Sequence, residues 1–327
     1  MLNTEQRPEG SSISSTPKRE EQSGSQNDAK AEGLTVLALI QKAANQLEAA
    51  GLSLANGFGQ GTLNAFDEAA WLVMWRLGVP LDHLDEVAHQ PVAQAELGQV
   101  AMLLEARITS RQPTAYLTRE AWLQGVPFYV DERVIIPRSL IAELLVDESI
   151  DPWLGEATHN VLDLCTGNGS LAILAAMVYP DVVVDAADIS PDALDVARIN
   201  VGKHAMDERI TLIASDSLSA CHGLTNGGYD LILCNPPYVN DATMAELPAE
   251  FRAEPAIALH GGADGMDFIR GLFLTAAVHM SENAVLVLEI GNESENFKQA
   301  FPNLEPLWFE TSAGADQVLL LTRQQLL

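Results

Sequence analysis

Residues 234 to 239 read Cys-Asn-Pro-Pro-Tyr-Val and follow the apolar run Tyr229-Asp230-Leu231-Ile232-Leu233. Those residue types, in that order, suit one kind of chemistry. A nitrogen on an sp2 carbon, as in an amide or an adenine amine, has a delocalised lone pair and is a poor nucleophile. Two acceptors aimed at its two hydrogens draw it toward a tetrahedral shape and free the lone pair. The side-chain oxygen of Asn235 and the carbonyl of Pro236 can be those acceptors. Proline locks φ and lacks an N–H, so the carbonyl keeps a fixed direction. Tyr238 and the ring of Pro237 complete a corner in which a planar group can stack. Attack on an electrophile would then need positioning and electrostatics, without a covalent enzyme intermediate. The tetrad alone does not separate a glutamine amide from an adenine amine, and paired prolines also end strands with no chemistry attached.

A second cluster lies upstream. Asp163-Leu164-Cys165-Thr166-Gly167-Asn168-Gly169-Ser170 joins an apolar run to a helical one. Gly167 and Gly169 allow a tight turn and close approach to a ligand. The spacing is neither the dinucleotide fingerprint, since residue 172 is Ala, nor a Walker loop, since no Gly-Lys-Ser/Thr follows. Asp188, 25 residues after Asp163, can accept from two ribose hydroxyls. Asp216 can meet the exocyclic amine of an adenine. Each acid alone also suits a solvated strand end. Three at successive strand ends favour an adenosine-bearing cofactor, and Asp163 beside the turn suits a cationic ligand better than a pyrophosphate. The cationic adenosine ligand that donates a group is S-adenosylmethionine.

These residues need a scaffold, and its elements are legible. Candidate strands are 160–165, 182–188, 210–216, 229–234, 284–290 and 317–322, with helices over 170–178 and 191–204. Alternating strands and helices, with near-continuous apolar strands, mean a parallel sheet covered on both faces. Its ligand crevice lies beyond the carboxyl ends of the strands. Before it, from residue 34 to about 111, apolar residues recur at three and four: Leu34, Leu37, Ile40, Ala44 and Leu47; then Phe66, Ala69, Ala70, Val73, Met74 and Leu77, ended by Gly78 and Pro80; then Val100, Leu103, Leu104 and Arg107. That is a small helical domain, suited to docking a substrate. Residues 112–136 carry aromatic, β-branched and turn residues and predict a hairpin linker. Residues 137–327 form the catalytic domain, and the polar stretch 1–33 reads as a disordered tail.

The 327 residues carry a formal net charge of -27, and the 18 basic residues are scattered. A nucleic-acid binder needs a basic face, so direct DNA binding is not expected; an acidic surface suits a basic partner. No apolar run reaches the roughly 18 to 20 residues of a membrane span, and the N-terminus shows no export signal, which predicts a cytoplasmic protein. The three cysteines, Cys165, Cys221 and Cys234, form no C-x-x-C pair, and the seven histidines show no ligand spacing. No metal site is expected.

The alternating pattern and glycine turn resemble the class I S-adenosylmethionine-dependent methyltransferases. That likeness implies an α/β, Rossmann-like fold with a mostly parallel seven-stranded sheet, here with a smaller N-terminal helical domain and a hairpin linker. It also implies Asp163, Gly167, Gly169, Asp188 and Asp216 at the cofactor, Asn235 and Pro236 in catalysis, and Pro237 and Tyr238 at the substrate. Longer stretches narrow the resemblance. They are Pro113-Thr114-Ala115-Tyr116-Leu117-Thr118; residues 128–139, ending Val134-Ile135-Ile136-Pro137-Arg138-Ser139; Ile141-Ala142-Glu143-Leu144; Leu247-Pro248-Ala249-Glu250; and 262–267. Together they resemble the HemK-like protein-glutamine methyltransferases, in the branch that modifies a ribosomal protein. The release-factor branch typically has Pro-Arg-Pro-Glu-Thr-Glu where this chain has Pro137-Arg138-Ser139-Leu140-Ile141-Ala142-Glu143, and Gly at Cys165. Asn168 and Ser170 depart from the usual Ser and Cys or Ala, but remain small and polar. The resemblance runs from about Leu34 to the C-terminus. It implies methylation of a glutamine side-chain nitrogen on the large-subunit ribosomal protein numbered three, free or in an assembling particle. Rival expectations are an adenine-amine methyltransferase on RNA or DNA, or a catalytically silent ribosome-assembly binding protein. The first needs a basic track and the second loss of Asn235 or the turn; the sequence has neither feature.

Overall fold

A computed structural model describes residues 33–223 and 227–327. The expected tail, apart from Gly33, lies outside the described residues. The helical region comprises α1 (Val36–Ala49), α2 (Ala65–Leu77), α3 (Leu84–Val87), α4 (Gln94–Ser110) and α5 (Thr114–Thr118). Capping residues fix the two leading helices: Thr35 accepts from Ala38 N and Asn64 from Asp67 N, and Gly78 closes α2 in the left-handed region at φ 67°. Their apolar faces meet through Ile40, Leu47, Leu72 and Val73, and Leu104 of α4 joins the same core. Leu37, expected on that face, is 37% exposed. It sits about 100° round the helix from Val36, at the edge of the stripe that Val36, Ile40, Ala43 and Leu47 define.

Arg107, read as part of an apolar helical face, is fully buried. Its Nε donates to Glu68 Oε1 at 2.5 Å, one terminal nitrogen to Glu250 Oε1 at 3.0 Å and the other to the Gly57 carbonyl at 2.8 Å. Arg111 also holds Glu250, through Nε at 2.5 Å and a terminal nitrogen at 3.0 Å. The two guanidiniums keep the Glu250 carboxyl below its ordinary range although burial pushes the other way. The cluster ties α2 and α4 to a loop that follows the Asn-Pro-Pro-Tyr segment.

The expected hairpin is β1 (Ala121–Leu123) paired antiparallel with β2 (Val126–Phe128). Gln124 (φ 49°) and Gly125 (φ 75°) supply the positive dihedrals that a two-residue turn needs. Beyond it come α6 (Ile141–Val146), β3 (Asn160–Leu164), α7 (Ser170–Val178), β4 (Val183–Asp188), α8 (Pro191–Lys203), β5 (Ile210–Ala214) and β6 (Tyr229–Cys234). The chain ends with α9 (Asp241–Glu246), α10 (Asp267–His279), β7 (Met280–Glu289), α11 (Ser294–Ala300), β8 (Leu307–Thr311) and β9 (Gly314–Thr322).

The seven strands run in the order β5-β4-β3-β6-β7-β9-β8. Pairs from β5 to β7 are parallel, and β9 is antiparallel to both β7 and β8. Alternate residues feed two cores. Val161, Val184, Leu231 and Val285 pack toward α6 and α7, while Leu162, Ile232, Leu286 and Leu288 pack toward α10 and α11. Strand succession runs outward from β3 through β4 to β5, and then restarts on the other side at β6. That reversal opens a crevice at the carboxyl ends of β3 and β6. The strand β8 was not among the candidate strands. The first strand stops at Leu164 because Cys165 takes φ 62°.

Candidate active site at the carboxyl strand ends

A cavity of about 390 Å³ occupies that crevice. Gly167, Asp188, Asp216, Asn235 and Pro237 all line it, so residues read from separate motifs share one cavity. Asp163, Gly169, Pro236 and Tyr238 are not on its lining.

Asp163 is completely buried under the glycine turn. Its Oδ2 accepts from Thr166 Oγ1 at 2.5 Å and from Ala172 N, in the first turn of α7, at 2.9 Å. Its Oδ1 has no partner among the described residues, and neither has the buried Nδ2 of Asn168. Burial pushes the Asp163 carboxyl up to about 7, against the two bonds it accepts, and Asp188 adds to the rise. Gly169 caps α7 at φ 82°, where a Cβ would lie 3.3 Å from that of Ala197. The turn therefore packs against α8 as closely as glycine permits.

Asp188 accepts from Gly167 N and Ser190 N, both at 2.9 Å. Burial raises its pKa nonetheless. Each oxygen keeps a second lone pair for a ligand hydroxyl. Asp216 is exposed at the end of the neighbouring strand. The residues fit S-adenosylmethionine: an orphan acceptor and an orphan donor at the turn match an ammonium and a carboxylate, and Asp188 and Asp216 line the cavity as acceptors suited to hydroxyls and an amine.

The Asn-Pro-Pro-Tyr segment leaves β6 and is clamped from three directions. Val239 N donates to the Leu259 carbonyl and Gly261 N to the Val239 carbonyl, both at 2.8 Å. Gly265 and Gly291 leave room for the Tyr238 backbone and ring, and a Cβ at Gly291 would collide with the ring. The Tyr238 hydroxyl donates to Glu289 Oε1 at 3.3 Å. Burial first, then Glu289, drives the phenol pKa well above its ordinary value. Glu289 Oε2 accepts from Ser139 Oγ at 2.6 Å and Leu140 N at 2.9 Å, and burial raises its carboxyl as well.

Arg138 and Glu143 belong to the stretches that carry the resemblance and lie outside the candidate site residues. Arg138 forms a bidentate pair with Glu254, at 2.7 and 2.8 Å, over the Phe251 ring at 5.2 Å. Burial works against its charge, and Glu254 more than restores it. Glu254 Oε1 also accepts from Ile136 N at 3.0 Å. Glu143 instead accepts from Ser312, on the turn between β8 and β9. Glu254, with Pro255, belongs to the stretches that carry the resemblance, but sequence reasoning gave neither it nor Glu289 a supporting role, because their partners lie 51 to 150 residues away.

The methyltransferase small domain family matches residues 142–262. Three relatives, from Bordetella pertussis, Burkholderia pseudomallei and Neisseria meningitidis serogroup B, each bear the description ribosomal protein uL3 glutamine methyltransferase. The first is 48% identical over 92% of this chain and 99% of its own length. The second is 47% identical over 89% and 95%, and the third 45% over 92% and 97%. Among solved structures, the catalytic domain of human Mettl16 bound to an RNA hairpin covers 70% of this chain at 12% identity, with a TM-score of 0.47.

With its strand order, glycine turn and three strand-end acids, the molecule is a class I S-adenosylmethionine-dependent methyltransferase in fold. The chain belongs to the family of ribosomal protein uL3 glutamine methyltransferases, the PrmB branch of the HemK-like enzymes. Among the described residues, no helix is long and apolar enough to cross a membrane.

Proposed function

We propose that this chain methylates the side-chain amide nitrogen of a glutamine in ribosomal protein uL3. The observation that carries the reading is that Asn235 and Pro237 line the same cavity as Gly167, Asp188 and Asp216. S-adenosylmethionine, when bound, supplies an electrophilic methyl group on a sulfonium. Asp188 holds the ribose hydroxyls and Asp216 the adenine amine. Asp163 serves from behind the turn, shaping it through Thr166 and Ala172 and offering its free oxygen to the positive end of the cofactor.

At the acceptor, Asn235 Oδ1 and the Pro236 carbonyl accept hydrogen bonds from the two amide N–H groups and localise the nitrogen lone pair; one of those protons is released to solvent as the N–CH3 bond forms. Tyr238 backs the planar amide, held by Glu289. The net charge of -27 steers a basic ribosomal protein inward. The helical region 34–111 serves as the docking platform, and the hairpin segment joins it to the catalytic part.

The test uses labelled cofactor and large-subunit ribosomal proteins and RNA from a strain lacking the enzyme, followed by mass spectrometry. The expected result is one methyl group on one glutamine of uL3. Label in RNA, or on another protein, overturns the reading.

A further inference from the structure

A second cavity, also about 390 Å³, lies across the chain from the first. Arg133, Val134 and Ile135 line the cofactor cavity, whereas Ile136 and Pro137 line this one. One short segment is thus the partition between the two. It is rigid, because Glu254 holds both Ile136 N and the Arg138 guanidinium.

The second cavity is built from α2, the short turn before α3, the hairpin and that partition. Phe66, Trp71, Leu81 and Trp122 give it an apolar lining. Two of these stand in solvent: Leu81 is 44% exposed and Trp122 is 47% exposed. Trp122 is nevertheless held in one orientation, since its indole nitrogen donates to Glu120 Oε1 at 3.0 Å. An exposed aromatic ring already fixed in place loses little entropy on binding.

Charge surrounds the apolar lining and is mostly acidic; of the basic neighbours in sequence, Arg138 is paired with Glu254 and Arg119 donates to the Tyr129 hydroxyl. Asp67 is exposed and lines the cavity, exposed Asp82 and Asp85 stand next to Leu81 and Leu84, and Glu120 stands beneath Trp122. No lysine or arginine is among the residues lining it. An apolar pocket with an acidic rim fits a large apolar side chain carried on a basic polypeptide. The chain's own first 32 residues fit poorly, with only Met1, Leu2 and Ile13 as large apolar residues and acids outnumbering bases.

We propose that this cavity is a second docking site for the acceptor protein: it takes a large apolar side chain of uL3 close to the modified glutamine, while the glutamine enters at Asn235. The inference rests on the function proposed above. Consecutive residues of one segment line the two cavities, so both residues come from one short stretch of the acceptor or from two strands lying side by side.

The experiment compares the full-length parent with Leu81→Glu and Trp122→Ala, and with the conservative Leu81→Met and Trp122→Phe, in steady-state methylation of purified uL3. Cofactor affinity is measured by calorimetry to establish folding. Losing one buried large apolar contact raises the acceptor KM about ten- to a hundred-fold in the disruptive variants. Cofactor Kd stays within twofold, and the conservative variants restore KM. An unchanged KM in folded disruptive variants overturns the docking site alone. Failure of the parent to methylate uL3 overturns the function and this site together. A changed oligomeric state of the free enzyme in the disruptive variants, read by analytical ultracentrifugation, assigns the cavity to a second copy of the chain and also overturns the proposal.

Discussion

The two ends of the catalytic cavity are supported in opposite ways. At the cofactor end, Asp163 and Asp188 take all of their bonds from donors no more than 21 residues away, nearly all of them backbone N–H groups. At the acceptor end, Tyr238 depends on Glu289, 51 residues distant, and Glu289 depends on Ser139, 150 residues away. A turn folded on itself is a unit the chain can carry as a motif. A clamp assembled from four distant segments exists only once the whole sheet has formed. The first end therefore tolerates remote change, and the second registers it.

Substitutions can break or sharpen that contrast. The largest effect belongs to Asn235→Ala, which removes an acceptor aimed at the reacting nitrogen. Turnover falls by about a thousand-fold while cofactor Kd, read by calorimetry, stays nearly unchanged. Equal turnover in the variant breaks the assignment. Asp188→Ala works on the other end: cofactor Kd weakens about ten- to a hundred-fold, as expected for losing hydrogen bonds to a charged group. Turnover at saturating cofactor changes little. Unchanged affinity removes Asp188 from the ribose.

Gly291→Ala tests the remote clamp. Its left-handed φ of 52° and the collision with the Tyr238 ring force the ring to shift. The acceptor kcat/KM falls about tenfold with cofactor affinity intact, and a parallel loss at both ends contradicts the division between them.

The smallest effect is a pH dependence. With its folded pKa raised to about 7, Asp163 is protonated in the empty enzyme below that pH. A carboxyl raised in this way contributes stability at acid pH, present below its unfolded pKa and lost as pH rises through the folded one. Binding a cation runs the other way, since it requires the ionised form. Cofactor affinity falls about tenfold from pH 8 to pH 6, and Asp163→Asn flattens the profile. A flat profile in the parent removes the charge from the cofactor's positive end.

The same division explains what could be read from the chain. The glycine turn, the strand-end acids and Asn235 were legible because their types and spacing express a local geometry. Most strands were legible because buried parallel strands are continuous apolar runs. The strand β8 escaped because Leu-Trp-Phe-Glu-Thr is a short edge segment buried mainly at Phe309. Arg107 fitted the helical period, but nothing nearby announced two carboxylates, one of them 143 residues away. Asp163 was read as facing the ligand, whereas most of its bonding shapes the turn from beneath. The second cavity had no signature at all, because several segments distant in sequence meet to form it.

The buried trio of Arg107, Glu68 and Glu250, closed by the partly exposed Arg111, has a consequence for recombination. Each member is tolerable inside the protein only beside the others, since an unmatched buried charge costs several kcal/mol. A chimera that places residues 34–111 of this chain on a relative without an acid matching Glu250 would strand the Arg107 guanidinium in the interior. Segments joined in this way are inherited as a set, and exchange between relatives succeeds when the crossover carries the distant loop along.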